Sequence, residues 1–290
     1  MALDLAVASD GPTRRRLRRH LPSFDIDVHG LSVSDDIRTI TDETPEPWRR
    51  FDVGFVYPAR IVEGDVVTAL TGLPWVTDRA DILTTRNKAG TLAQLAAAGL
   101  PTPETVHVSS PADADAVRDA FEAIDGPVVV KPNATTKGTA QVLVTDLDSL
   151  HGVADLFDLI HAFPATGDRS YLLQAYVPDA RDLRLTTIDG HVAAAVERRF
   201  PDDGADRWVR NVHRGATAVP VDPPAEAVDV AERAAAELDI AVLGIDVLVT
   251  TEGPMLLEVN GRPTIDRVEK YPPDFYDRLA AVIRRAAGRD

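Results

Sequence analysis

Residues 244–260 constrain the fold more than any other stretch of the 290-residue chain. Ile245, Val247 and Val249 alternate with Asp246, Leu248 and Thr250, and a second apolar run covers residues 255–259. Thr251, Glu252 and Gly253 lie between the two runs. A three-residue loop with glycine at its last, left-handed position predicts an antiparallel hairpin. That loop pairs Thr250 with Pro254 and so sets Asp246 opposite Glu258. Period-two geometry adds Asn260 to the face of Glu258. Opposed carboxylates repel and weaken a bare hairpin. A hard divalent cation removes the conflict: two carboxylates and an amide oxygen on one face are a typical protein share of a Mg²⁺ (or Mn²⁺) shell, completed by phosphate oxygens and water. Asp246, Glu258 and Asn260 are therefore candidate metal ligands. The alternative is a solvated polar face, which the apolar Leu256, Leu257 and Ile245 oppose.

A chain that is 44% hydrophobic can bury a large core, in one complex domain or two to three small ones. It has no apolar run of 18 residues, so no transmembrane helix is expected. Its short acidic start reads as a strand rather than a signal peptide, which points to the cytoplasm. The absence of cysteine excludes disulfides and thiolate metal sites. The formal net charge is −15, and of 46 acidic residues only 12 are Glu. Such a surface resembles the proteins of salt-loving archaea and stays soluble where salt screens self-repulsion. It argues against nucleic-acid binding, which needs a basic footprint. The cluster Arg14, Arg15, Arg16, Arg18, Arg19 reads as an exposed helix face more readily than as a partner site.

Arginine supplies 27 of the 31 basic residues. The four lysines, Lys88, Lys131, Lys137 and Lys270, mark positions where a compact charge on a flexible stem is wanted, as at a phosphate. Lys131 ends the run Val128-Val129-Val130, which aims its amine out of a sheet end into a cleft. Lys137-Gly138 lies in the loop at residues 133–138, where backbone N–H groups can cover phosphates.

In chain order, strands are expected at residues 3–8, 24–28, 52–57 and 73–76, with helices at 13–21 and 61–70 and a polar loop at 32–50. The alternation implies a small parallel α/β unit. Helices follow at 87–98, closed by Gly99, and at 113–124 and 147–162, with strands at 128–132 and 140–144. A strand at 170–177 precedes a hairpin of residues 182–188 and 191–199 about Asp189-Gly190. A strand at 208–212, a helix at 224–238, the metal-site hairpin and a closing helix at 275–287 complete the chain. These elements divide into residues 1–83, 84–165 and 166–290.

Eight short stretches then fall into a familiar order: Arg-Asn-Lys (86–88), Val-Val-Lys-Pro (129–132), Gln-Ala-Tyr-Val (174–177), Asp-Leu-Arg (182–184), Val-Glu-Arg-Arg (196–199), Asn-Val-His-Arg-Gly (211–215), Gly-Ile-Asp-Val-Leu (244–248) and Leu-Glu-Val-Asn (257–260). Over about residues 85–287 the chain resembles the ATP-grasp superfamily, and within it the RimK-type glutamate ligases. The resemblance implies a mixed α+β and α/β architecture. Two α+β lobes would clasp ATP, preceded by a small parallel α/β N-terminal domain.

It further implies that Lys88 and Lys131 contact the phosphates; Lys137, in the glycine-poor loop, is a further nucleotide-binding candidate that would replace backbone donors. Gln174, Ala175, Tyr176 and Val177 would border the adenine, whose edge the backbone of 175–177 reads. Asp182 would sit near the ribose, and Asn211 would belong to the nucleotide site with His213 beside it. Asp246, Glu258 and Asn260 would hold Mg²⁺. Arg198 would stabilise charge on the acyl phosphate, and Arg262, in the wall near the acyl acceptor, is a second catalytic candidate.

The implied reaction is a carboxylate–amine ligation that adds an amino acid such as glutamate. The partners are that amino acid and an amine or carboxylate acceptor, with a homo-oligomer left open. The alternative is an ATP-grasp nucleotide-binding protein without turnover. A plain periplasmic-type binding domain would need an export signal. The chain departs from the family in its glycine-poor phosphate loop, in Ala175 where a glutamate is usual, and in Gly261-Arg262-Pro263-Thr264 where Pro-Gly is usual.

Overall fold

The computed structural model describes residues 2–9, 11–33, 41, 46–135, 139–160, 168–200, 207–208, 212 and 215–289. Three sheets carry the architecture. The first is parallel, in the order β2-β1-β3, with β1 at Leu3–Val7, β2 at Ile26–Gly30 and β3 at Val53–Phe55. Helix α1 (Pro12–His20) links β1 to β2, and the short α2 (Glu46–Arg49) precedes β3. Helices α3 (Ile61–Thr71), α4 (Arg79–Arg86) and α5 (Lys88–Ala97) follow. The segment expected as a strand at 73–76 makes one isolated bridge, Gly54 to Trp75.

The second sheet is antiparallel, β4-β7-β5-β6: β4 at Thr105–Ser109, β5 at Val128–Pro132, β6 at Val142–Val144 and β7 at Ser170–Ala175. Helices α6 (Ala114–Ala123) and α7 (Leu147–Ile160) cover one face. Alternation sorts the side chains. Val128, Val130, Tyr171 and Leu173 pack with Val117, Leu150 and Phe157 beneath these helices. Val129, Lys131 and Gln174 take the opposite face, which lines a cleft. Because β7 bonds to β4 and β5, this sheet takes in residues beyond 165.

The third sheet is also antiparallel, β10-β9-β8-β11-β12. Its strands are β8 (Arg181–Ile188), β9 (His191–Arg199), β10 (Thr217–Pro220), β11 (Val242–Thr250) and β12 (Gly253–Asn260). Leu183, Leu185, Ile245 and Val247 point to α8 (Ala225–Leu238) and α5, where Leu92, Leu95, Val230 and Ala234 close the core. Asp182, Arg184, Thr186 and Asp246 face the cleft instead. The last helix, α9 (Phe275–Ala286), returns to the first sheet: Phe275, Leu279 and Ile283 share one cluster with Leu3, Leu5, Phe55 and Val242. The chain's two ends are thus welded into one core. Among the described residues no helix is long and apolar enough to cross a membrane.

Three expectations need correction. No strand is described at 208–212: residues 209–211 lie outside the described residues, Val212 is in a 3-10 turn, and the strand is β10. Strand β4 and helix α4 were not expected. The former follows Pro101 and Pro103, and the latter is started by a capping box in which Asp78 and Asp81 exchange bonds. The hairpin loop of β11 and β12 has two residues, not three, since Thr250 pairs with Gly253. A bulge between Asp246 and Val247 then adds one residue on β12, and Asp246 faces Glu258 after all.

Candidate active site

The second and third sheets face each other across a cleft of about 950 Å³, whose other end is closed by the loops after β1 and β3. Lys131 is 2% exposed. Its Nζ donates to Gln174 Oε1 at 2.8 Å, and Gln174 Nε2 donates in turn to Thr105 Oγ1 at 2.9 Å. Burial lowers the Lys131 pKa to about 8; neighbouring Glu258 opposes that fall and Lys88 adds to it. Lys88, 5% exposed, sits in the first turn of α5. It donates to the carbonyls of Asn133, at 3.2 Å, and Thr135, and lies 3.7 Å from Glu258 Oε1. Asn87 caps α5, and Asn133 bonds both Asn87 Oδ1 and the Ala89 N–H, tying the helix start to the sheet that carries Lys131.

On the third sheet the cleft face holds a buried charge network. Register places Asp182 beside Arg198 and Asp246 beside Arg184. Arg198 Nη2 lies 2.6 Å from Asp182 Oδ1 and 3.0 Å from Asp246 Oδ2. Arg184 Nη2 donates to Asp246 Oδ2 at 2.9 Å, and its Nε pairs with Oδ1. Burial alone would lower the Arg198 pKa, but Asp246 and Asp182 together raise it further above its ordinary value. Burial raises that of Asp182, against the pull of Arg198. Glu197 and Arg199 point to the opposite face, where Glu197 pairs with Arg199 and Arg181.

This network changes the account of the hairpin. Asp246 does not depend on a metal for its neutralisation, because two guanidiniums supply it, and Glu258 faces Lys88. The donor set nonetheless fits a hard cation. Glu258 opposes Asp246 and keeps a part-exposed carboxylate, and ionised carboxylates hold more lone pairs than these contacts occupy. Asn260 Oδ1 accepts from the Arg262 N–H at 2.9 Å and has a second lone pair.

Of the four residues assigned to the adenine, Gln174 turns its amide to Lys131. The N–H groups of Ala175 and Tyr176 are engaged by the carbonyls of Glu104, at 2.8 Å, and Pro127, at 2.9 Å. Among the described residues the Val177 N–H makes no backbone hydrogen bond and lines the cleft. It is the donor left for a base edge. Tyr176 meets Trp208 edge-on, with ring centroids 6.2 Å apart, and both border the cleft. Lys137, Asn211 and His213 lie outside the described residues.

Arg262 borders the cleft on the side of the first sheet, where its Nη2 donates to the Ala8 carbonyl at 3.3 Å. Lys270 is tied to Asp266 at 2.6 Å. The sequence reading assigned no role to Arg184, Asn133 or Arg86, all of which shape the site. Arg184 was legible, since it lies two residues from Asp182 on one strand face. Asn133 and Arg86 were not, because each acts through a contact remote in sequence.

Residues 85–278 match the family described as the RimK-like ATP-grasp domain. A probable alpha-L-glutamate ligase of Enterobacter sp. strain 638 is 32% identical over 273 residues, which cover 93% of this chain and 79% of that protein. A probable alpha-L-glutamate ligase of Legionella pneumophila strain Corby is 30% identical over 202 residues, covering 69% of this chain and 63% of that protein. The match thus spans less than two thirds of the Legionella protein's length. A crystal structure of a D-cycloserine synthetase superposes with a TM-score of 0.74 at 19% identity, covering 98% of this chain and 99% of that one. D-alanine–D-alanine ligase from Bacillus anthracis, complexed with ATP, gives 0.69 at 15% identity, covering 99% and 97%. At these identities the superpositions speak to the fold.

Proposed function

This chain belongs to the RimK-like ATP-grasp family and has the ATP-grasp fold, and from that premise we propose that it is an ATP-dependent ligase joining a carboxylate to an amine. The observation that carries the reading is the convergence on one cleft of two buried lysines, Lys88 and Lys131, with the opposed Asp246 and Glu258. The amino acid is of the glutamate kind, by analogy with the relatives' names.

In the first step a substrate carboxylate oxygen attacks the γ-phosphorus of ATP, giving an acyl phosphate and ADP. In the second, an amine nitrogen attacks the acyl carbon. Inorganic phosphate leaves, the amine loses a proton, and an amide forms. No side-chain nucleophile is needed. Lys88 and Lys131 orient and neutralise phosphoryl oxygens. Arg198, anchored by Asp182 and Asp246, presents a fixed positive charge toward the acyl phosphate. Val177 and the rings of Tyr176 and Trp208 receive the base. Asp246, Glu258 and Asn260 would hold Mg²⁺, whose share is to neutralise charge on the transferring phosphoryl group.

We move the expected boundary at 165 to the end of β7, which gives working units at residues 1–83, 84–175 and 176–290. The test is ADP release with Mg²⁺ over a panel of amino acids paired with candidate acceptors. Release that needs both partners supports the ligase. ATP binding by calorimetry with no release from any pair would instead support a nucleotide-binding protein without turnover.

A further inference from the structure

The end of the cleft nearest the first sheet holds two cations with no carboxylate partner among the described residues. Arg86, at the last turn of α4, donates from Nη2 to the Ala59 carbonyl at 2.6 Å. Arg262 donates from Nη2 to the Ala8 carbonyl. Ala8 follows β1 and Ala59 lies beyond β3, and those strands are adjacent and parallel. Both guanidiniums are thereby drawn to the carboxyl ends of neighbouring strands, the place where open parallel sheets receive ligands. Both line the same cleft.

Each guanidinium has five N–H donors, and a carbonyl bond uses one of them. Arg262 Nε is buried and has no hydrogen-bond partner among the described residues. Neighbouring arginines differ: Arg16 reaches Asp266 at 3.2 Å, and Arg60 reaches Glu63 at 3.4 Å. The turn that carries Arg262 is built closely. Asn260 Oδ1 holds its N–H, and a Cβ on Gly261 would come within 2.8 Å of Thr85 Oγ1 on α4. The glycine therefore lets the turn sit against the helix that presents Arg86.

We propose that Arg86 and Arg262 form a two-guanidinium clamp for a carboxylate of the amino-acid substrate that does not itself react. The inference rests on the ligase reading for the identity of its ligand. Two like charges at one end of the cleft, with no carboxylate partner among the described residues, cost stability, and a planar anion spanning both forks would offset that cost. Arg262 is then a substrate-binding residue rather than one that acts on the phosphoryl group. The clamp takes a carboxylate and not a nucleotide phosphate, a point that the ATP measurements test.

The experiment compares wild type with Arg86→Gln and Arg262→Gln in the ADP-release assay, using free amino acids and the same compounds with one carboxylate converted to the amide. Wild type is expected to reject the amide, and each variant to raise KM for the free acid about 10- to 100-fold, the loss of one charge-assisted contact. Discrimination against the amide falls with it, while KM for ATP stays within about twofold. A shift in ATP KM equal to that for the amino acid, or an unchanged amino-acid KM, overturns the clamp and leaves the ligase intact.

If wild type releases no ADP with any pair, the ligase reading fails, and calorimetry with succinate at constant ionic strength decides the clamp. Succinate should bind wild type and not the double variant, and equal or absent binding overturns it. Should a Gln variant fail to fold, Arg262→Lys keeps a point charge without the fork. It should show an intermediate KM, and a wild-type KM would count against the clamp.

Discussion

Lys131 is a cation in a place where burial disfavours charge, and its described hydrogen bond runs to a neutral amide, Gln174 Oε1. Its pKa falls from 10.5 to about 8, so the folded state binds this proton less tightly than the unfolded chain does. The group costs the fold about 3 kcal/mol below pH 8, and the cost is relieved as pH rises from about 8 to 10.5. Phosphates would restore the charge. Nucleotide binding at pH 8 is then expected to take up as much as about half a proton, read as a dependence of the calorimetric enthalpy on buffer ionisation. Lys131→Met should abolish the uptake and weaken ATP by on the order of 1.5–3 kcal/mol; uptake that persists in this variant refutes the assignment.

Asp246 and Glu258 differ in the same way. Asp246→Asn strips a carboxylate from the buried Arg198 and from Arg184, and should cost about 3–5 kcal/mol in EDTA. Glu258→Gln loses a 3.7 Å pairing with Lys88 but also a like-charge neighbour, and these offset to within about 1 kcal/mol. Both should abolish turnover. Denaturant melts of the two apo proteins separate the cases, and equal destabilisation would contradict the network. Lysine scarcity made Lys88 and Lys131 legible in the sequence. That Arg184 and Arg198 neutralise Asp246 was not legible, because it depends on β8 of one hairpin pairing with β11 of the other, which no local pattern encodes.

At the scale of elements, the metal-site hairpin shows how an expected pairing can rest on an unexpected cause. Leu256 and Val259 both belong to the core under α8, three residues apart on one strand. Strict alternation forbids that and would turn Glu258 into the core beside Leu256. The bulge supplies the missing step, so that Leu257 and Glu258 both border the cleft. The apolar spacing of Leu256 and Val259 was the readable sign of it. Deletion of Leu257 should yield an unbroken ladder with glutamate still opposite Asp246. The variant is expected to fold, with an unchanged circular dichroism spectrum, and to bind ATP more weakly by up to about 2 kcal/mol, the apolar surface lost from the cleft. Failure to fold would mean that the bend itself is required. Strands with alternation or an unbroken apolar run, such as β11 and β5, were legible. Strands β4 and β10 were not, because each is an edge strand of four or five residues with at most one buried side chain.

For the whole molecule, the first sheet and the closing helix α9 share one cluster, and that cluster includes Ile188 and Val242 from the third sheet. Heat should therefore melt the first and third sheets in a single transition, whose midpoint reports on the molecule's total charge. Two electrostatic effects then compete as salt is added. Surface ion pairs such as Arg79 with Asp65, or Arg289 with Asp52, lose attraction, but each is worth 0–1 kcal/mol. The buried pairs of Asp182, Arg198 and Asp246 are shielded from ions and change little. Against these small losses stands the mutual repulsion of a chain with net charge −15, spread over many exposed carboxylates. That repulsion reaches about 10 Å in 0.1 M salt and about 3 Å in 1 M, so it is the largest quantity that salt removes. The melting temperature is expected to rise from 0.1 M to molar KCl, and to rise less in a variant whose exposed aspartates are replaced by asparagine. A midpoint that falls steadily with KCl would show that pairwise attraction, not net repulsion, governs the surface.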